Sequence, residues 1–258
     1  MEMDQSTKER IKRSFSRAAP FYDEYASIQI EAASRLIEGI KTKRFSSILE
    51  IGCGTGTYTL MLKSYFPQAE ITAVDFAPGM LGVASKKLNS QGVRFLLADG
   101  EEELSFGRDG FDLITSNATF QWFNDLERAI KGYRNLLKEE GMLYFSLFGP
   151  ETFCELKETL NQFLPLFLPT SHFLNKDRVE WVLSPFRKMK IEEVTFTQRY
   201  PNLKELLKTI RHTSSNGLFE RKGLFFTPTK IKRLEDLYLE RFGTIQATYQ
   251  LFFCQGEV

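Results

Sequence analysis

Gly52, Gly54 and Gly56 stand at every second position behind the apolar run Ile48, Leu49 and Ile51. An apolar run of that length suits a buried parallel strand. Glycine tolerates positive φ, and without a Cβ it lets a ligand lie against the backbone. From Thr57 the spacing becomes helical through Leu60, Met61, Leu62, Tyr65 and Phe66, and it stops before Pro67. Strand, glycine turn and helix together make a nucleotide-type site at the carboxyl end of a first strand. A dinucleotide fingerprint would place Gly or Ala at position 57, where this chain has Thr57.

Two acids fall where such a site would use them. Glu70–Asp75 reads as a second strand, and Asp75 follows the glycines at about the 20-residue spacing of a ribose-binding carboxylate. Its other reading is a helix N-cap for the segment from Pro78. With the ribose role, Phe76 and Met80 lie near the adenine. Val93–Asp99 reads as a third strand, and Asp99, Gly100 and Glu101 sit where an adenine amino group could donate, although Asp-Gly is also a plain turn.

These groups need a sheet to hold them. Gly110–Ser116 reads as a fourth strand running into the polar and aromatic loop Asn117-Ala118-Thr119-Phe120-Gln121-Trp122-Phe123. Asn124-Asp125 caps a helix expected to run through Lys138 and close at Gly141, and Met142–Leu147 is the fifth strand. Met189–Tyr200 alternates as an antiparallel strand, and Thr244–Cys254 reads as a last one. The expected fold is α/β: a doubly wound, Rossmann-like, seven-stranded sheet, mostly parallel with one late antiparallel strand. Ligands bind such sheets beyond the carboxyl ends of the strands. Residues 1–40 read as helices interrupted at Pro20. They form either a structural cover or a lid over the cofactor, with Phe15, Tyr22 and Gln29 facing inward. One domain is expected over 1–258, with a cofactor-binding half at 45–150 and helical substrate-side insertions at 151–185 and 201–240.

Thirty-four basic and 33 acidic residues leave a net charge of +1, which does not suit wholesale nucleic-acid binding. No apolar run is long enough to span a bilayer, and no secretory segment opens the chain. Cys53, Cys154 and Cys254 are odd in number and far apart, which suits a reducing cytoplasm. With His172 and His212 as the two histidines, no metal site is expected.

The run Glu50-x-Gly52-x-Gly54-x-Gly56 resembles the first motif of the class I S-adenosylmethionine-dependent methyltransferases. Phe15-x-Arg17-Ala18-Ala19-x-x-Tyr22-Asp23, Ser116-Asn117-x-x-x-Gln121-Trp122, Phe145-Ser146-x-Phe148-Gly149-Pro150-x-Thr152-Phe153-x-Glu155-Leu156 and Ala247-Thr248-Tyr249-Gln250 are similar to the malonyl-[acyl-carrier protein] O-methyltransferases of biotin synthesis. Where that family tends toward Lys-x-Ile-Gly-Ala, this chain has Lys208-Thr209-Ile210-Arg211-His212.

The resemblance implies S-adenosylmethionine as cofactor, held by Tyr22, Glu50, Gly52, Cys53, Gly54, Gly56, Asp75, Phe76, Met80, Asp99, Gly100, Glu101, Asn117 and Ala118. It implies methyl transfer to the free carboxylate of a malonyl thioester on acyl carrier protein. A carboxylate with a pKa of about 4 is already ionised at pH 7, so positioning replaces a general base and no catalytic residue is expected. A strong ion pair would hold the ground-state anion too well. Neutral donors are therefore expected nearest the reacting oxygen, from Tyr22, Gln121 and Trp122, with Arg199, Arg211 or His212 farther out. The acidic carrier calls for a local basic surface, with candidates Arg187, Lys188 and Lys190; Lys230, Lys232 and Arg233; and Arg221 and Lys222. Competing readings are a methyltransferase for another small carboxylate or a carbon nucleophile, the latter with His212 as base, and a non-catalytic cofactor-binding partner.

Overall fold

A computed structural model of the chain describes residues 5–89, 92–108, 110–163, 173–214 and 227–258. Five strands run parallel: β1 (Ser47–Ile51), β2 (Glu70–Asp75), β3 (Val93–Leu97), β4 (Phe111–Asn117) and β5 (Leu137–Phe148). Two longer strands, β6 (Lys188–Arg199) and β7 (Gln246–Glu257), complete the order β3-β2-β1-β4-β5-β7-β6. Strand order reverses between β1 and β4, and the glycine turn and the Asn117 loop open there side by side. Central β1 is buried almost throughout, while β6 alternates between exposed and half-buried positions, as suits an edge.

The reversed strand is the last one. β7 runs antiparallel to both β5 and β6, so Met189–Tyr200, although paired antiparallel, points the same way as β1 to β5. A second difference concerns Gly141. Helix α6 (Leu126–Leu136) ends earlier than its spacing predicts, because Leu137 pairs with Phe111 and already belongs to β5. Gly141 therefore lies inside a strand whose register shifts nearby, and it caps no helix.

The N-terminal segment is α1 (Gln5–Ala18), α2 (Tyr22–Tyr25) and α3 (Ser27–Ile40), broken at Pro20 as the spacing predicts. The helices α4 (Thr57–Tyr65) and α5 (Pro78–Lys87) follow β1 and β2; α7 (Cys154–Phe163) and α8 (Lys176–Leu183) precede β6; α9 (Leu203–Thr213) and α10 (Pro228–Phe242) separate β6 from β7. One face of the sheet is covered by α3, α4, α7, α9 and α10 through residues such as Leu36, Leu62, Leu156, Ile210 and Tyr238. The other is covered by α6 and α8 through Ile130, Tyr133, Val179 and Leu183. A third, small apolar cluster of Ala19, Ala77 and Met80 seats the N-terminal segment on α5.

Candidate active site

The three glycines do three different jobs. All have positive φ: +72° at Gly52, +56° at Gly54 and +80° at Gly56. A side chain at Gly52 would strike Thr119, and one at Gly56 would meet Ala84 and Leu88 of α5. At Gly54 no atom lies within 4 Å of where a Cβ would project, so its open side faces a cavity. Gly52 and Cys53 donate their N–H groups to the Val74 carbonyl at 2.8 and 2.9 Å, which ties the turn to β2.

Asp75 closes the same turn. Its Oδ2 accepts the Gly54 N–H at 2.9 Å and its Oδ1 the Ala77 N–H at 2.8 Å. The N-cap reading fails, because α5 is capped at Ala77 with no side-chain bond; Asp75 instead braces the residue before the helix and walls the cavity. A carboxylate has about four acceptor sites, so Asp75 keeps spare capacity for a ligand. Burial pushes its pKa up to about 6, against the lowering effect of the backbone N–H groups.

The cavity is partly open to solvent, and its empty space, open solvent included, is about 710 Å³. Phe76 and Met80 wall it beside Asp75; Asp99 and Gly100 wall it at the end of β3; Asn117, Ala118 and Trp122 wall it at the end of β4. Ala118 holds φ +51°, an uncommon conformation for a residue with a Cβ. An inner pocket of about 420 Å³ shares Tyr22, Gly52, Gly54 and Asn117 with the first and adds Gln29, Glu50 and Cys53. Glu50 is 1% exposed, and its Oε2 has no partner among the described residues. Burial, with Asp75 nearby, pushes its pKa up to about 8. An orphaned acceptor at a pocket wall fits an amino group.

The N-terminal segment is bound to all three turns. Lys8 Nζ lies 2.6 Å from Asp99 and 2.7 Å from Glu101. The Gly79 N–H donates to Ser16 Oγ at 3.4 Å. Asp23 accepts from Thr55, from Thr57 at 3.2 Å and from Lys87 at 2.7 Å. Phe15 meets Trp122 edge-on at 5.8 Å and Tyr22 at 6.5 Å, so aromatic rings close the cavity. Burial, reinforced by Asp75 and Asp23, pushes the Tyr22 phenol well above its ordinary pKa and keeps it a neutral donor.

Several expected residues stand elsewhere. Glu101 is outside the cavity wall; its Oε1 accepts the N–H groups of Asn124 and Asp125 at 2.8 and 2.7 Å and so braces the start of α6. The short 3-10 turn Phe120–Trp122 rolls Gln121 inward, where its Nε2 donates to the Ala118 carbonyl at 2.6 Å, while Trp122 stays at the cavity. His212 stacks on Tyr25 with ring centroids 4.5 Å apart, away from the cavity wall. Burial, then Lys208 and Arg211, lower its pKa. Arg211 is exposed on α9, and Arg199 ends β6 at the sheet's outer edge, so neither forms part of that wall. Asn117 donates to the Gln29 carbonyl at 2.9 Å and accepts from Ser146, which joins α3 to the sheet.

The basic candidates separate. Because β6 runs with β1 to β5, Arg187, Lys188 and Lys190 lie at the amino end of the sheet, opposite the cavity. Lys230, Lys232 and Arg233 stand in the first two turns of α10, where Lys232 pairs with Asp236. Arg221 and Lys222 lie outside the described residues. Sequence reasoning missed Lys8, Thr119, Phe123 and Thr213, all in the cavity wall. Thr119 and Phe123 belong to the loop already singled out, whereas nothing local marks Lys8 or Thr213.

The methyltransferase domain family matches residues 49–145. Malonyl-[acyl-carrier protein] O-methyltransferase 1 of Ilyobacter polytropus is 34% identical over 241 residues, which cover 92% of this chain and 88% of the relative. The malonyl-[acyl-carrier protein] O-methyltransferase of Priestia megaterium is 36% identical over 249 residues, covering 90% and 89%. The chain belongs to the malonyl-[acyl-carrier protein] O-methyltransferase family. Among solved structures, the YcgJ protein of Bacillus subtilis superimposes with a TM-score of 0.61 at 19% identity, covering 88% of this chain and 97% of that one. Phosphoethanolamine N-methyltransferase 2 of Haemonchus contortus, in complex with S-adenosyl-L-methionine, gives 0.56 at 19%, covering 86% and 52%. Both share the fold with this malonyl-[acyl-carrier protein] O-methyltransferase family member, which is an S-adenosylmethionine-dependent enzyme. The residues fit that cofactor, with an open backbone at Gly54, spare acceptor sites on Asp75, an apolar wall at Phe76 and Met80, and an orphaned acid at Glu50.

Proposed function

We propose that this chain, acting as one domain, methylates the free carboxylate of a malonyl thioester on acyl carrier protein and so yields the methyl ester used in biotin synthesis. The observation that carries the reading is the closure of the Gly54–Asp75 cavity by Phe15, Tyr22 and Trp122. When bound, S-adenosylmethionine supplies an electrophilic methyl on a sulfonium.

The chain's own residues position and dry the site. Asp75 would accept from the ribose hydroxyls, and Asp99, Gly100, Phe76 and Met80 would hold the adenine. Glu50, Cys53, Asn117 and Ala118 with the backbone of Gly52 and Gly54 would hold the amino-acid end, whereas Gly56, which lines neither pocket, packs the turn on α5. Tyr22 offers a neutral hydrogen bond to the acceptor carboxylate, which orients it without holding its charge too firmly. The aromatic cover excludes water, which favours a step in which an anion and a cation lose charge together. A carbon nucleophile would need a base, and the candidate His212 is committed to Tyr25 instead.

Among the described residues no helix is long and apolar enough to cross a membrane. With Cys53, Cys154 and Cys254 unbridged, we place the enzyme in the cytoplasm, working without nucleic acid or metal.

Incubation with methyl-labelled S-adenosylmethionine and malonyl carrier tests the reading. A base-labile methyl ester on the carrier is the expected product. Cofactor binding without transfer to any malonyl thioester would leave a binding protein and overturn it.

A further inference from the structure

Helices α1 and α9 both reach the cavity wall, and both carry a basic exposed side. Helix α1 sends Lys8 and Phe15 into the cavity wall, and α9 ends there at Thr213; the two helices touch each other. On its exposed side α1 presents Arg10, Arg13 and Arg17, spaced three and four residues apart and so on one helical face. Lys204, Lys208 and Arg211 repeat that spacing on the exposed side of α9. These are six exposed cations, against one exposed acid on the same two helices, Glu9. In a chain with net charge +1, that is a strong local bias.

The acids close by are largely engaged or few. Asp23 of α2 is turned onto Thr55, Thr57 and Lys87, Glu9 lies 3.5 Å from Lys12, Asp99 pairs with Lys8 and Glu102 with Arg128, and Glu24 and half-buried Glu205 stand beside α9. Between the stripes Phe21, at the start of α2, is 52% exposed and rests edge-on against His212. Lys208 sits over the Tyr25 ring at 5.1 Å, so α2 and α9 present one joined surface. A basic field with an apolar side chain within it, on two helices that reach the cavity wall, fits a negatively charged protein that must deliver a tethered group inward.

We infer that the exposed stripes of α1 and α9, centred on Phe21, form the docking surface for the acidic carrier. This rests on the function proposed above, and it replaces the basic cluster at the amino end of β6, which faces away from the cavity. Docking here would hold the carrier against two helices that line the cavity.

Charge reversal decides it, with Arg13→Glu/Arg17→Glu on α1 and Lys204→Glu on α9. Each is compared with Arg187→Glu/Lys188→Glu and Lys230→Glu/Lys232→Glu. The readouts are anisotropy of a fluorescent malonyl carrier at low and high salt, and kcat/KM for that carrier and for a short malonyl thioester without protein. The expected result is a loss of about 10-fold or more in carrier affinity and kcat/KM at low salt for the α1 and α9 variants, shrinking at high salt. The short thioester should be used at the wild-type rate. Full carrier affinity in both α1 and α9 variants overturns the inference, as does a larger loss from either comparison pair. An equal loss on the short thioester would place these residues in the chemistry and overturn it too. Wild-type protein that methylates neither malonyl thioester fails the proposed function itself, and the docking surface with it.

Discussion

Lys8 Nζ lies 2.6 Å from Asp99 Oδ2, and this pair brings the first helix of the chain onto the third strand's turn across 91 residues of sequence. The same amine bonds Glu101, which is 4% exposed and already braces α6. Removing it would leave two neighbouring carboxylates, one of them buried, without their cation. Lys8→Met should cost about 1–2 kcal/mol in urea unfolding, within the range for hydrogen bonds to charged groups and discounted for partial exposure. It should also speed trypsin cleavage within α1. Lys8→Arg should restore most of the loss, whereas Lys12→Met, at a residue that pairs with Glu9 of the same helix, should change neither. Equal effects at Lys8 and Lys12 would refute the latch.

Glu50 and Asp75 predict a pH dependence whose sign is opposite to that of a paired surface acid. Their folded pKa values, about 8 and about 6, lie above the ordinary carboxylate range. Stability from protonating them is present in full below pH about 4 and is lost as pH rises through 6 and then 8. Glu50→Gln should therefore stabilise the ligand-free protein by about 1–3 kcal/mol at pH 8 and by little at pH 5. It should also weaken cofactor binding. If an amino group meets Glu50, binding at pH 7 should release protons, seen by calorimetry in buffers of different ionisation heat, and the variant should release fewer. No difference in proton release would remove Glu50 from the ligand.

The glycine turn predicts two distinct failures. Gly54→Ala adds a methyl group into the open cavity, so the fold should lose about 1 kcal/mol through positive φ while cofactor affinity falls by more than about 10-fold. Gly56→Val should fail in folding, since its side chain would collide with Ala84 and Leu88. Thermal melts set beside cofactor titrations separate the two, and a Gly54→Ala protein that binds normally would move the ligand away from the turn.

Tyr22→Phe removes a neutral donor while keeping the ring that faces Phe15. Turnover should fall by about 5- to 10-fold, the worth of about one hydrogen bond, with cofactor affinity and melting temperature nearly unchanged. Tyr22→Ala should lower turnover further by opening the aromatic cover. Wild-type turnover in both would make residues 1–40 a structural cover alone.

The parts of the site that were legible in the sequence are those built by one continuous stretch. Gly52 to Gly56, Asp75 and Asp99 each end a strand and announce themselves by local spacing. Lys8 and Thr213 reach the same cavity from distant helices, and no spacing rule links residues so far apart. Gln121 and Trp122 are neighbours, yet a 3-10 turn sends one inward and the other to the cavity; a rotation of that size leaves no mark in composition. Gly141 looked like a helix stop because glycine serves helix ends and strand irregularities alike. That Arg187 and Lys188 sit at the end of the sheet opposite the cavity is not legible in the sequence, because strand direction is settled by pairing partners, which a linear chain does not display.

The placing of β7 between β5 and β6 bears on how the molecule assembles during synthesis. β6 emerges from the ribosome first, and its one sheet neighbour is made only after α9 and α10. Until β7 inserts, both β5 and β6 present bare edges, and β5 is among the most buried strands of the finished sheet. A nascent chain halted before Gln246 should therefore hold a formed glycine turn and an unsealed sheet, and depend on chaperones. Arrest at successive lengths, probed by protease, should show the first half becoming resistant early and the β5–β7–β6 seam closing in a single late step.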